Sequence, residues 1–261
     1  NPAVWQQWWF PLLALMVLCL FLFALFHIRL RAIKKKNTLL LELAENRQKV
    51  LVQLIHPHFV FNLMNTIQGA VLKEEKMVAA SLVARLAKLM RLSMELSMEK
   101  WVSLEKETDL LNKYFELEEV RSPGKFQYRI EVAPSVHPSK TLIPSMLIQP
   151  FVENAIKHGI LHCLNRKGLI HISFEQNKED LFCIVDDNGI GRKASEKFNK
   201  AKPAGHQSSG IEITINRLRL LHQEQKTGFY YEVIDKVNAQ DEAQGTTVRF
   251  TIPYKLVYET N

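Results

Sequence analysis

The sequence has 261 residues, 47% of them hydrophobic and 23% charged, which is enough for one or two domains with sizeable cores. Its formal net charge of +7 gives little reason to expect direct nucleic-acid binding, because most of the excess lies in one basic cluster at residues 29–36. Three cysteines without a Cys-x-x-Cys spacing argue against a disulfide framework and against structural zinc. Since residue 1 is not Met and stands just before an apolar segment, we interpret the sequence as the C-terminal part of a longer protein.

Residues 10–28 are predicted to form a transmembrane helix. The segment is apolar except for His27, and 19 helical residues reach about 28 Å, roughly one hydrocarbon thickness. The positive-inside rule then makes residues 1–9 the end of an extracytoplasmic region and places the rest in the cytoplasm, with a single pass through the cytoplasmic membrane. A buried core helix is the alternative, and it explains the flanks less well. Those flanks are aromatic before the segment and basic after it: Trp5, Trp8 and Trp9, then Arg29, Arg31, Lys34, Lys35 and Lys36.

Residues 29–121 are predicted to be helical, as one long helix over 29–72, a charged turn at 73–76, a second helix over about 77–99 and a third over about 103–121. Ser103 is a plausible N-cap for the third helix. Because each of the first two helices shows one apolar stripe, a dimer of two hairpins in a four-helix bundle would bury both. The first stripe is Leu40, Leu43, Val50, Leu54, Phe61, Met64 and Val71, and the second is Leu82, Leu86, Leu89 and Leu96.

His58 follows a proline inside the first predicted helix, and it is the candidate nucleophile. In the heptad register Pro57 occupies the apolar seam, so that His58 flanks the core and reaches solvent, while His56 falls on the outer face. A neutral imidazole presents a lone pair near pH 7, and Asn62, one turn further on, could fix its tautomer. Pro57 removes a backbone hydrogen bond and is expected to kink the helix at this point.

Ser122-Pro123-Gly124 marks a boundary, after which short strands alternate with helices. Residues 122–256 are therefore predicted to form an α/β sandwich, with an antiparallel or mixed sheet covered by helices on one face, and residues 257–261 form a tail. The polar segment 192–209 is interpreted as a mobile loop. Strands are predicted at 126–132, 169–175, 181–186, 230–235 and 246–252, and helices at 146–161 and 210–225.

Three segments of this second half carry the residue types that a magnesium nucleotide requires. The helix around Glu153 and Asn154 offers an amide oxygen suited to Mg²⁺, and Lys157 and His158 are expected to share its face. Asp187, at the end of a strand, can accept a hydrogen bond from the exocyclic amine of adenine. Glycines and a threonine in turns let the backbone approach the ligand, and a helix opening at one of these glycines can cradle phosphates: Gly189, Gly191, Gly210 and Thr246.

In this order the segments resemble the LytS-type sensor histidine kinases, whose acceptor histidine lies in a Pro-His-Phe segment. The second half resembles the GHKL ATP-binding domain, also called the Bergerat fold, through its N box and its three glycine boxes. The resemblance covers roughly residues 38–256. It implies ATP and Mg²⁺ as cofactors, with Asn154 as the Mg²⁺ ligand, Asp187 as the adenine anchor and residues 192–209 as a lid. It further implies phosphorylation of His58 and transfer to an aspartate of a response regulator.

The sequence departs from the family pattern in both halves. Glu212 and Ile215 stand where a glycine and an asparagine are usual, and Leu54 and His56 replace a glutamine and an asparagine before His58. His56 is thus a second, competing imidazole. Two alternatives remain open: a nucleotide-binding dimeric scaffold without catalysis, and a GHKL ATPase that uses Glu153 as base. Neither the stimulus nor the response regulator can be read from the sequence.

Overall fold

The computed structural model describes residues 29, 57–163, 166–177, 179–192, 194 and 209–257. The chain divides into two compact units, residues 1–52 and 53–261, and in the first of these only Arg29 is described. The predicted transmembrane helix at 10–28 and the predicted helix up to residue 56 therefore lie outside the described residues. Within the described ranges, no helix combines the length and the apolar character that a membrane span requires.

Two antiparallel helices form a hairpin at the start of the described chain. Helix α1 spans Pro57–Leu72 and α2 spans Lys76–Met98, so the predicted turn and second helix are confirmed within one residue. Glu74 takes a left-handed conformation in the turn, with φ 61°. The interface of the hairpin is apolar, and both helices bury small and branched side chains in it: Leu63, Ile67, Ala70, Leu82, Leu86 and Leu89.

The two hairpin helices bury more apolar surface within one chain than the single stripes of the sequence predict. The predicted stripe of α1 is exposed, with Phe61 at 70%, Met64 at 52% and Val71 at 58%. A second stripe, offset along the helix and containing Leu63 and Ile67, packs against α2 instead. The prediction that the leucine stripe of α2 stays exposed in one chain is wrong, because α1 and the next helix bury it. The four-helix bundle itself remains a prediction.

Helix α3, Leu104–Arg121, follows the short strand β1, Trp101–Ser103. The Ser103 side chain accepts a hydrogen bond from the Lys106 backbone N–H at 3.2 Å, which confirms the predicted N-cap. One side of α3 packs on α2, and the other packs on the sheet, where the Phe115 ring stacks on Tyr128 with centroids 4.1 Å apart. A single core therefore continues from the hairpin into the sheet, and the boundary at residues 121 and 122 remains a prediction.

A mixed five-stranded sheet forms the centre of the second half. Its strands are β2 (Phe126–Val132), β4 (Gly168–Asn177), β5 (Asp180–Asp187), β6 (Tyr231–Val237) and β7 (Ala243–Ile252). They lie in the order β2-β4-β5-β7-β6. Strands β2 and β4 are parallel, and the other neighbours are antiparallel, as the predicted mixed sheet allows. A small antiparallel sheet, β1-β3-β8, adds Thr141–Pro144 and Lys255–Leu256 as β3 and β8.

Helices cover one face of the large sheet, which makes a two-layer α/β sandwich. Helix α4 spans Gln149–Asn154 and continues through a π-helical turn, Ala155–Gly159, into a 3₁₀ turn, Ile160–His162. Helix α5 spans Ser209–Gln225. The Phe151 ring of α4 stacks on Phe250 of β7, with centroids 4.5 Å apart. The covered face of the sheet is fully apolar at its centre, with buried Ile172, Phe174, Cys183, Val185 and Phe250.

Candidate active site

Asp187 is the last residue of β5, and its carboxyl group is buried, with 5% of the residue exposed. Its Oδ1 accepts a hydrogen bond from the Gly189 backbone N–H at 2.8 Å. Burial raises the pKa of this carboxyl from 3.8 to about 6, and the bond from Gly189 offsets part of that effect. A further N–H donor would stabilise the charged form of this buried carboxyl group. The predicted hydrogen bond from the amine of adenine would have this effect.

Three glycines bring separate backbone segments into contact around Asp187. A Cβ atom on Gly159 would lie 2.9 Å from Asp187 Oδ1, and one on Gly189 would lie 2.4 Å from the Gly159 Cα. Gly245 has a φ of 119°, and a Cβ there would lie 1.9 Å from the Asp187 carbonyl oxygen. Gly191 also has a positive φ, 75°. The close packing requires glycine at these points, and Thr246 pairs directly with Asp187 across β5 and β7.

The predicted magnesium helix leads directly to this carboxyl group. Asn154 is the last residue of α4 and is exposed, and the π-helical turn that follows it ends at Gly159, beside Asp187. Glu153 instead faces inward, where its Oε1 accepts from Gln149 Nε2 and its Oε2 from Lys157 Nζ, both at 3.0 Å. The four residues predicted to share one helix face are thus separated. The Asn154 side chain is exposed, whereas the Lys157 side chain bonds to the buried Glu153. His158 is half-buried on the π-helical turn.

A buried polar group from α3 underlies this helix, and the sequence did not predict it. Tyr114 Oη donates to Glu118 Oε1 at 3.1 Å, and Arg121 forms an ion pair with Glu118 at 2.6 Å. Burial raises the pKa of Glu118, and Arg121 opposes that effect. Burial and the nearby Glu153 carboxylate together raise the pKa of the Tyr114 hydroxyl. The Tyr-x-x-x-Glu-x-x-Arg spacing places the three side chains on one helix face, which is the signal that could have indicated the group.

Glu107 of α3 is a second buried residue that the sequence did not identify as part of the site. It is fully buried, and its carboxylate accepts hydrogen bonds from the backbone just before α4. Burial raises its pKa, while these backbone bonds and the charge of Arg217 on α5 lower it. Nothing in the local pattern of residues 104–121 distinguishes this glutamate from the exposed Glu105, because its partners are about forty residues away in the sequence.

Two predicted elements are described only in part. Gly210 is the second residue of α5, and its carbonyl oxygen accepts from Thr214 Oγ1 at 2.8 Å, while Glu212 is exposed. Most of the predicted lid, residues 195–208, lies outside the described residues. In the first half, His58 belongs to α1, but its side chain and the whole of His56 lie outside the described part. Asn62 is half-buried one turn after His58.

Groups of three or more His, Cys, Asp or Glu side chains able to hold a metal ion do not occur among the described residues. A magnesium nucleotide does not require such a group, because phosphate oxygens and water supply most ligands of the cation. An exposed amide oxygen, that of Asn154, is a ligand that fits Mg²⁺ bound together with a nucleotide, and the buried Asp187 carboxyl is the acceptor predicted for the base.

Comparison with known proteins agrees with this geometry. The family model described as Histidine kinase matches residues 46–126, which include His58 and α3. The sensor protein LytS of Staphylococcus saprophyticus is 32% identical over 202 residues, which cover 77% of this chain and 32% of that protein. The sensor histidine kinase YpdA of Escherichia coli K12 is 29% identical over 201 residues, covering 76% and 33%.

The chain spans about a third of the length of these curated relatives. Among solved structures, the histidine kinase ThkA in complex with the response regulator protein TrrA is 17% identical and covers 81% of this chain and 65% of that one. The TM-score of this match is 0.38. The match to the Histidine kinase family model and the LytS relatives at 27–32% identity together support a LytS-type sensor histidine kinase.

Proposed function

We propose that this chain contains the kinase part of a membrane-bound sensor, which transfers the γ-phosphoryl group of Mg-ATP to His58. The observation that carries the proposal is the buried Asp187 carboxylate, enclosed by Gly159, Gly189 and Gly245 at the end of the helix that presents Asn154. This is the arrangement expected of a GHKL nucleotide site, and the matched Histidine kinase segment contains the acceptor.

Each predicted residue has a separate task in this site. Asp187 accepts a hydrogen bond from the adenine amine, and Asn154 is a ligand of Mg²⁺, which when bound neutralises phosphate charge. The glycine turns at Gly189 and Gly191 lie along the base, with Thr246 next to them. Basic groups and the start of α5 contact the phosphates, namely Lys157, His158 and Gly210. Phosphoryl transfer of this kind depends mainly on positioning and charge neutralisation.

The chemical step forms one bond and breaks one. A lone pair of the neutral His58 imidazole attacks the γ-phosphorus, the N–P bond forms, and the bond from phosphorus to the β,γ-bridging oxygen breaks, releasing ADP. Asn62 is placed one helical turn further on, where its side chain can hold the tautomer that keeps this lone pair available. In a second transfer, the phosphoryl group passes to an aspartate of a response regulator.

The contacts of Glu153 favour this reaction over ATP hydrolysis with Glu153 as base. Both oxygens of its buried carboxylate accept hydrogen bonds, from Gln149 and from Lys157. We therefore infer that Glu153 acts by holding Lys157 in place beside the phosphates.

The test is an incubation of the cytoplasmic part, from about residue 37, with γ-labelled ATP and Mg²⁺. We expect a protein-bound label that is stable in base and labile in acid, as a phosphoramidate is. His58→Gln should abolish the label, and His56→Gln, the matched control two residues away, should retain it. The phosphorylated protein should then lose its label to a response regulator.

Other results would select an alternative. Label retained in His58→Gln and lost in His56→Gln would move the acceptor to His56. Bound ATP without any label would indicate the catalytically silent scaffold, and free phosphate released without labelled protein would indicate an ATPase.

A further inference from the structure

Residues 145–148 form the turn that joins β3 to α4, and three other elements reach it with hydrogen bonds. The Ser145 hydroxyl donates to the Glu99 carbonyl oxygen at the end of α2, at 2.7 Å. From α5, Arg217 Nη1 donates to the Ser145 carbonyl oxygen at 2.8 Å. The turn is thus connected both to the α1–α2 hairpin and to α5.

Glu107 holds the same turn from α3. Its Oε2 accepts from the Met146 backbone N–H at 2.9 Å, and its Oε1 accepts from those of Leu147 and Ile148 at 3.0 and 3.3 Å. Hydrogen bonds to an ionised carboxylate are about twice as strong as neutral ones, and this carboxylate is shielded from water. Met146 has a positive φ of 54°, which is uncommon for a residue other than glycine and is maintained here by these bonds.

The turn determines where α4 begins. This helix has six residues, and its N-cap position, Ile148, makes no side-chain capping bond. The Glu107 carboxylate instead holds the backbone N–H groups of the residues that lead into the helix, including that of Ile148 itself. A helix this short has little length over which to absorb a shift. A displacement of the turn would therefore be passed on directly to Asn154, at its other end.

We propose that Glu107 and Arg217 are positioning residues of the kinase reaction. They hold the turn at residues 145–148, and through it they set the position of α4, with Asn154 and Lys157, relative to α5. The inference rests on the proposed function, because it assigns the two residues to the binding of Mg-ATP. Neither residue is assigned a contact with the nucleotide.

The first test is Arg217→Met, which keeps an unbranched stem and removes the guanidinium group, with its charge and its bond to Ser145. The matched control is Arg219→Met, which removes an exposed arginine two residues further along α5. We expect the dissociation constant for Mg-ATP to rise about tenfold in Arg217→Met, since small misplacements of binding groups are costly. It should stay unchanged in Arg219→Met, and Arg217→Lys should restore part of the affinity. Amide hydrogen exchange at residues 146–148 should become faster in Arg217→Met while the rest of the sheet stays protected.

A second pair of variants addresses α3. Glu107→Gln removes the buried charge, and Glu105→Gln makes the same change at an exposed position of the same helix. We expect faster exchange at residues 146–148 and weaker ATP binding only in Glu107→Gln. If Glu107→Gln does not fold, the variants of Arg217 and their Arg219→Met control test the inference by themselves. Wild-type affinity and a wild-type rate of labelling in folded Arg217→Met would overturn the inference.

Failure of the proposed function would be recognised separately. A wild-type protein that binds no Mg-ATP contradicts the kinase proposal, and it withdraws the assignment of both residues to nucleotide binding. The exchange measurement then still decides whether they hold the turn, because unchanged exchange at residues 146–148 in both variants would overturn that as well.

Discussion

At the scale of single residues, Asp187 shows a conflict between stability and binding. Its carboxyl is buried, and burial raises its pKa from 3.8 to about 6, so the folded protein binds this proton more tightly than the unfolded chain does. Stability is therefore expected to fall as the pH rises from about 4 to about 6, and the charged group costs about 3 kcal/mol above that range. The charged form is nevertheless the better acceptor for an amine.

Asp187→Asn is accordingly expected to separate the two effects. The amide keeps an acceptor for the Gly189 N–H but carries no charge, so the free energy of unfolding at pH 7 should rise by up to about 3 kcal/mol. Its dependence on pH between about 4 and 6 should become flatter, while Mg-ATP binding is lost. Urea titrations across this range and a nucleotide titration measure both, with Asp241→Asn, at an exposed position, as the control. A variant that is less stable than the wild type at pH 7 would contradict the argument.

Gly245 gives a second prediction at this scale. Its φ of 119° is strained for any L side chain, and an added Cβ would lie 1.9 Å from the Asp187 carbonyl oxygen. Gly245→Ala should therefore lower the free energy of unfolding by about 3 kcal/mol or more, from strain and overpacking together, and should weaken nucleotide binding. Gly69→Ala, in α1 with no atom within 4 Å of the new Cβ, should stabilise the protein by up to about 1 kcal/mol. Thermal unfolding of the two variants checks the opposite signs.

At the scale of elements, the sequence predicted the strands well and the helix faces less well. Strand β2 was predicted with its observed bounds, since alternating apolar residues between turn signals depend only on local pattern. The second apolar stripe of α1, with Leu63 and Ile67, was missed, because a local pattern does not tell which of two stripes meets a partner in the same chain. Glu107 and Glu118 could not be located as buried, because their burial depends on a tertiary packing that local sequence does not show.

In the candidate site, too, features set by local sequence were predicted and features set by tertiary packing were not. Residues that act through their backbone or their position at a strand end, such as Gly189 and Asp187, were predicted from turn and strand signals, and the structure brings them together. The pairing of Glu153 with Lys157 was not predicted, because i, i+4 spacing permits both a shared ligand and a mutual ion pair. The buried α3 group lies close enough to this pair to interact electrostatically with it, Tyr114 with Glu153 and Glu118 with Lys157, and local sequence does not show that proximity.

At the scale of the whole molecule, the single chain leaves an apolar surface on the hairpin. On α2, Met90, Met94 and Met98 recur at intervals of four residues with exposures of 37, 56 and 80%, and on α1 Phe61 and Met64 are exposed. Side chains at this spacing lie on one face of a helix, and exposed apolar faces of this kind mark interaction surfaces. We infer that a second copy of the chain covers them in a homodimer, as in the predicted four-helix bundle.

Substitution by charge on this surface should separate the two copies. Burying a lysine ammonium without a partner is costly, so Met94→Lys is expected to weaken dimerisation by at least about a hundredfold. The hairpin should stay folded, because its interface residue Leu89 lies about 140° around α2 from Met94. Leu169→Lys, at an exposed apolar position on the large sheet, should leave the dimer intact. Sedimentation equilibrium of the part from about residue 37 measures both, with circular dichroism to show that helicity is retained. A wild-type protein that sediments as a monomer, or a Met94→Lys variant that remains a dimer, would show that the methionine face of α2 is not the dimer interface.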